Sequence, residues 1–203
     1  MLQQTQVSRV VDYYARFLER FPTLADVGGA HSRHVLEAWA GLGYYNRARN
    51  LHRLATTLTD HGRSRDASLP DDPRELACLP GIGPYTAGAI ASFAFARRAA
   101  LVDTNVARVL RRVFAPGLNP VSAKGQRAIW EMARALLPRT GAHGWTHNQA
   151  LMELGAVVCT ARVARCDICP VSSLCRSAFQ PVRLRTRGTA ATMKDRHGKS
   201  TLV

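Results

Sequence analysis

Apolar residues recur at helical spacing along most of this chain, and proline or glycine interrupts the pattern before any stripe grows long. Val106, Val109, Leu110 and Val113 fall at i, i+3, i+4 and i+7, with Arg108, Arg111 and Arg112 on the opposite face. Val7, Val10, Val11 and Tyr14 form a second stripe, which Phe17 and Leu18 extend. Ile129, Met132, Ala133 and Leu136 form a third. Breaks fall at Pro22, Gly28-Gly29, Pro80-Gly81, Pro116-Gly117 and Pro138. Strand-like alternation is almost absent, and no internal repeat is visible. Short amphipathic helices joined by short turns predict an all-α fold. The first stripe begins at residue 1 with no capping residue before it, so the chain is expected to start inside a helix.

With 203 residues, 46% of them hydrophobic, the chain can bury a core as one large domain or two small lobes. No apolar run is long enough to span a membrane. Met1 to Gln6 lacks the basic and apolar regions of a signal peptide, so a cytoplasmic, nucleoid-associated location is expected. The net charge is +14. Segment 177–203 holds six basic residues and one acidic, so most of the excess lies on residues 1–176. A basic excess of this kind suits a polyanion partner, because cationic side chains displace counterions condensed on phosphates. A merely basic, soluble protein is the competing explanation. Residues 177–203 lose the apolar periodicity, become rich in Arg, Thr and Gly, and read as a disordered tail.

Cys159, Cys166, Cys169 and Cys175 form a C-x6-C-x2-C-x5-C series, and Cys78 stands apart. In a cytosolic chain such crowding indicates metal rather than disulfides. Four thiolates suit zinc or a cubane iron–sulfur cluster. Structural zinc sites usually pair two C-x2-C knuckles, and this series has one, so the spacing favours iron–sulfur.

Three further motifs bear on function. Leu79-Pro80-Gly81-Ile82-Gly83-Pro84 reads as a turn between helices, with Pro84 suited to a first helical position. Gly81 and Gly83 allow close backbone approach, so the turn could aim N–H groups at a phosphate. An ordinary helix junction is an equal reading. Asp103 precedes the Val106 stripe, where a helix N-cap is the commonest role. A carboxylate there could also stabilise a cation beside the phosphate-binding turn. Gly41 to Asn50 places Tyr44 and Tyr45 beside Arg47 and Arg49, a combination that can stack on a base and contact phosphates. A buried tyrosine pair with solvated arginines is the alternative.

Taken in order, these segments resemble the endonuclease III superfamily of helix-hairpin-helix DNA glycosylases, and within it the adenine glycosylase family. Met1 to Val7 is similar to that family's intercalating segment, Gly41 to His52 to its GLGYYxRARNLH signature, and Leu79 to Ala87 to its hairpin. Asp103 stands at the place of the catalytic aspartate, and Asn148 to Ala156 precedes the cysteines as in the family. The resemblance implies a helical barrel lobe with the hairpin over 1–100 and a lobe with Asp103 and a [4Fe–4S] cluster over 101–176. It implies a monomer acting on double-stranded DNA with an extruded base. The reaction would be hydrolysis of the N-glycosidic bond of adenine mispaired with 8-oxoguanine or guanine. Gln3 or Gln4 would wedge into the duplex, Tyr44 would hold the opposite base, and Arg47, Arg49, Gly81 and Gly83 would contact DNA. Asp103 would be the catalytic carboxylate, with Asn105 and Tyr85 orienting groups around it. Tyr85 stands where bifunctional relatives carry a lysine, so no strand-cleaving chemistry is implied.

Two departures temper that expectation. The family's acid is a glutamate that would lie just before Met1, and its lesion-reading C-terminal domain has no counterpart after Cys175. A truncated form that binds DNA but excises poorly is therefore expected. Thymine or uracil mismatch glycosylases share the hairpin, cysteines and aspartate. A non-catalytic DNA-binding remnant and a zinc-binding DNA protein complete the alternatives.

Overall fold

The computed structural model describes residues 1–60 and 68–180. Among these residues the architecture is helical, and the only β pairing is an isolated bridge between Cys159 and Ala164. From residue 181 onward the expected basic tail lies outside the described residues. No helix among the described residues is long and apolar enough to cross a membrane.

Helices α1 (Val7–Arg20), α2 (Leu24–Gly29), α3 (Ser32–Ala38) and α4 (Asn46–Thr59) enclose a first core. Val35 and Trp39 are fully or nearly fully buried in it, and Phe17 meets Phe21 and Trp39 at ring distances of 5.1 and 6.0 Å. The entry to α2 is a capping box. Thr23 accepts from the Asp26 N–H, and Asp26 accepts from the Thr23 N–H. Helices α5 (Pro73–Ala77) and α6 (Pro84–Ala89) form the hairpin over a second core built on Leu54, Leu76, Ile82, Ala87 and Ala91. Each carries proline in its first turn, where a missing N–H costs nothing. A π-helical turn, Ile90–Ala94, continues α6.

The remaining α-helices among the described residues are α7 (Thr104–Phe114), α8 (Ala123–Ala135) and α9 (Gly141–Glu153), and a short 3-10 turn, Ser172–Leu174, follows them. Val106, Val109, Leu110 and Val113 are all buried, so the stripe of α7 faces inward along its whole length. Val106 and Leu110 pack with Leu101, Ile129 and Ala133 in a third core, on which Tyr85, Ala89 and Phe93 also rest, whereas Val109 and Val113 line the cavity of the later cysteines. Asn148 of α9 is buried and donates to Ser92 Oγ and Ala99 O, tying α9 to the hairpin side. A second π-helical turn, Leu154–Val158, ends at Cys159.

One expectation at the N terminus is corrected. The chain does not start inside a helix: residues 1–6 form a turn and α1 begins at Val7. Gln4 adopts a left-handed backbone with φ 61°, which a continuous helix forbids. The first stripe is only partly covered. Val10 and Phe17 are in the core, whereas Val7, Val11 and Tyr14 are 67%, 59% and 55% exposed.

Candidate functional site

A cleft of about 1070 Å³ opens between the turn at residues 1–6, the start of α4, and the N-terminal ends of α7 and α8. Gln3, Gln4, Tyr44, Arg49, Tyr85 and Asp103 all line it, although the sequence scatters them over a hundred residues. Gln3, Gln4, Tyr44 and Arg49 are exposed, and Tyr44 is held at φ 48°. Asp103 is the only carboxylate lining this cleft among the described residues.

Asp103 caps α7 and also lines the cleft. Its Oδ1 accepts from the Val106 N–H at 2.7 Å, and its Oδ2 accepts from Asn105 Nδ2 at 3.1 Å. Asn105 does not line the cleft; it orients the carboxylate from behind. Its own Oδ1 accepts from Arg108 Nη2 at 2.8 Å. Arg108 in turn donates to Gly155 O at 2.6 Å and Cys159 O at 2.9 Å. A continuous hydrogen-bonded chain therefore runs from Asp103 to the cysteine segment. Burial, then the neighbouring Arg112, pulls the Arg108 guanidinium below its ordinary value. Burial, then the Asp103 carboxylate, pushes the Tyr85 hydroxyl above its ordinary range. Tyr85 thus remains a hydrogen-bond donor at neutral and mildly basic pH.

Arg47 is engaged within the protein itself. Its guanidinium donates to the carbonyls of Met1, Gln3, Leu42 and Gly43 and to Thr5 Oγ1. It also lies 5.3 Å from the Trp39 ring centre and 5.5 Å from that of Tyr44. One cation thereby gathers the turn that carries Gln3 and Gln4 onto the segment that presents Tyr44. Arg49 is exposed, and its Nη1 donates to Asn46 Oδ1 at 3.0 Å.

Gly81 lies outside this cleft, on an adjoining groove with Met1, Leu2 and Thr86. The hairpin reaches the turn through Gln3 Nε2, 3.4 Å from Thr86 Oγ1. Gly83 caps α6 without any side-chain acceptor, and a Cβ there would meet nothing within 4 Å.

All five cysteines are free. Cys159, Cys166, Cys169 and Cys175 line one cavity of about 300 Å³, with Arg111, Arg112 and Arg165 beside them. Yet no three His, Cys, Asp or Glu side chains among the described residues form a set able to hold one metal ion. Four thiols on one cavity are the donor chemistry that either zinc or an iron–sulfur cluster takes.

Residues 1–135 match the family described as HhH-GPD superfamily base excision DNA repair protein. The chain belongs to that superfamily. This HhH-GPD chain is 45% identical over 177 residues to the adenine DNA glycosylase of Rattus norvegicus, covering 87% of this chain and 34% of that one. It is 43% identical over 204 residues to the adenine DNA glycosylase of Mycolicibacterium smegmatis, covering 98% and 67%. It therefore spans about a third of the length of the rat relative. The solved structure of a thermostable thymine-DNA glycosylase superposes with a TM-score of 0.73 at 28% identity, covering 87% of this chain and 79% of that one.

Sequence reasoning missed several residues of this HhH-GPD site. Gln126, Ile129 and Trp130 of α8 also line the cleft. Only the amphipathic pattern of α8 hinted at a second, outward face there. Arg108 was read as the polar side of a stripe, and no local signal links it to Gly155 or Cys159, about fifty residues away.

Proposed function

We propose that this chain is the base-excision core of an adenine DNA glycosylase, hydrolysing the N-glycosidic bond of adenine opposite 8-oxoguanine or guanine in duplex DNA. The observation that carries the reading is Asp103. It is a carboxylate held by two hydrogen bonds on the wall of a cleft whose other wall carries exposed glutamine and tyrosine side chains. The target base would be extruded into the cleft. Gln3 or Gln4 would fill the gap it leaves, and Tyr44 would stack on the opposite base. Bond cleavage develops positive charge at the sugar, and the Asp103 carboxylate would stabilise it. Asn105 holds that carboxylate in place, and Tyr85 supplies a protonated hydroxyl at the same wall. A division into lobes 1–100 and 101–176, with DNA against the cleft between them, suits this assignment.

The higher identity to adenine glycosylases than to the thymine glycosylase structure supports adenine as the base. The test is single-turnover release of base from an adenine:8-oxoguanine duplex beside a thymine:guanine duplex. Faster release of thymine would overturn the assignment. A second reading, a DNA-binding form with weak excision, draws on Asp103 being the only carboxylate lining the cleft among the described residues. One carboxylate does not both stabilise the cation and protonate the departing base.

We infer that Cys159, Cys166, Cys169 and Cys175 hold a [4Fe–4S] cluster. When bound, such a cluster supplies a structural cross-link among four points of the loop, since hydrolysis of a glycosidic bond transfers no electrons. Anaerobically purified protein is expected to contain about four irons per chain. Cys78→Ser is expected to leave that value unchanged, because Cys78 lies away from the cavity. Stoichiometric zinc without iron, from cells supplied with both, would refute the cluster.

The hairpin would bind the duplex backbone without sequence preference. Gly83 is exposed with open space at its Cβ position, so Gly83→Leu is expected to fold normally yet weaken binding to all duplexes by roughly tenfold or more. Gly81 has φ 77°, and a Cβ there would lie 2.5 Å from Asn50 Cβ, so Gly81→Ala is expected to lower stability instead. Fluorescence anisotropy with two unrelated duplexes and thermal unfolding separate the two effects. Unchanged affinity in Gly83→Leu would reduce the turn to a junction.

A further inference from the structure

We propose that Arg112 sets the reduction potential of the cluster by donating a charged hydrogen bond to the sulfur of Cys159. This rests on the cluster assignment above. Arg112 Nη1 lies 3.2 Å from Cys159 Sγ. Among the described residues it is the only cationic donor to a sulfur of the four cavity cysteines. The same guanidinium donates to the carbonyls of Cys159, Thr160 and Ala161, which fixes its plane against the segment rather than leaving it to solvent. Arg112 also reaches a second cysteine, since its carbonyl lies 3.5 Å from Cys175 Sγ. The residue therefore stands between the first and last cysteines of the series, on the last turn of the helix that Asp103 caps at its start.

The other arginines near the cavity act differently. Arg108 donates to Cys159 O and touches no sulfur. Arg165 lines the cavity, but its Nη2 donates to Val157 O at 2.7 Å. Four thiolates on a [4Fe–4S] core leave a net negative charge, and the reduced state is the more negative of any one-electron pair. A donor to sulfur stabilises the more negative state and raises the potential. Arg112 is thus a positioning residue for one thiolate with an electronic effect on the whole group. Arg165 contributes charge without the sulfur contact.

The test is protein-film electrochemistry on the full chain, where the electrode supplies the electron, with iron content measured on each sample. Arg112→Gln removes charge and sulfur donor together. Arg165→Gln removes the same unit of charge near the same cavity but no sulfur contact. Arg112→Lys keeps the charge and loses the planar fork. At equal iron content, Arg112→Gln is expected to shift the potential downward by clearly more than Arg165→Gln, with Arg112→Lys between. Equal shifts in the two glutamine variants, or none in Arg112→Gln, would overturn the proposal. Loss of iron from both Arg112 variants would also overturn it, because the residue would then be an anchor of the loop only. Wild-type protein without iron would instead remove the cluster assignment, and this inference with it.

Discussion

Asp103→Asn is expected to cut base release by roughly a hundred- to a thousand-fold while leaving duplex binding unchanged. The substitution is informative because asparagine is about as good a helix N-cap as aspartate. Its side-chain oxygen can still accept the Val106 N–H that Asp103 Oδ1 accepts now, so α7 should start where it does. What disappears is the negative charge facing the cleft. The measurement compares three proteins on an adenine:8-oxoguanine duplex under single-turnover conditions. They are this chain, a version extended at its N terminus by a glutamate-bearing segment, and the extended Asp103→Asn variant. The first is expected to excise slowly, since no second carboxylate lines the cleft among the described residues. General acid assistance in the second is worth roughly a hundred- to ten-thousand-fold. Excision by the extended variant at near the extended parent's rate would remove Asp103 from the chemistry.

Gly155→Ala is expected to damage the site from behind. A Cβ at position 155 would lie 2.7 Å from Asn105 Cβ and 3.0 Å from its backbone carbon and oxygen. Those neighbours are the backbone and the root of the side chain, so neither can swing aside. Overpacking of this kind costs about 1–3 kcal/mol, and a domain of this size should lose several degrees in Tm, at about 2–4 °C per kcal/mol. The larger effect is on rate. Asn105 is the donor that holds Asp103 Oδ2, and a displacement near 1 Å can cost about a hundredfold. Calorimetry beside single-turnover kinetics in the extended protein reads both quantities. A normal rate in a folded Gly155→Ala variant would mean that the contact between α7 and the second π-helical turn carries no information to the carboxylate.

How much of this was legible in the sequence depends on how far apart the partners lie. Asp103 as an N-cap and the inward stripe of α7 rest on spacings of three and four residues, and both are present in the structure. The turn at residues 1–6 rests on Arg47, more than forty positions away, so local periodicity carried a helix through it. The stripe of α1 shows the limit of amphipathicity. Spacing marks Val7, Val11 and Tyr14 as one face but does not say whether anything covers it. The cysteine series announced its own clustering. The arginine beside it did not, because Arg112 and Cys159 are brought together only by the packing of α7 on the turn that follows α9.

The π-helical turn Leu154–Val158 makes chain length, and not only side-chain identity, a determinant of the site. Its closing bond runs from the Cys159 N–H to Leu154 O at 2.6 Å, five residues back. An α-helix advances about 100° per residue. Deleting one residue here would let α9 run on with regular winding and rotate everything beyond it by about that angle. Cys159 would then face away from Arg112, and the carbonyls that Arg108 grips would turn out of reach. A deletion in the loop between Cys159 and Cys166 has no such lever, since no helix among those residues transmits a rotation. Single-codon gaps should therefore be far less tolerable between Glu153 and Cys159 than a few residues further on, even though Val157 in that stretch is half exposed and free to change in kind.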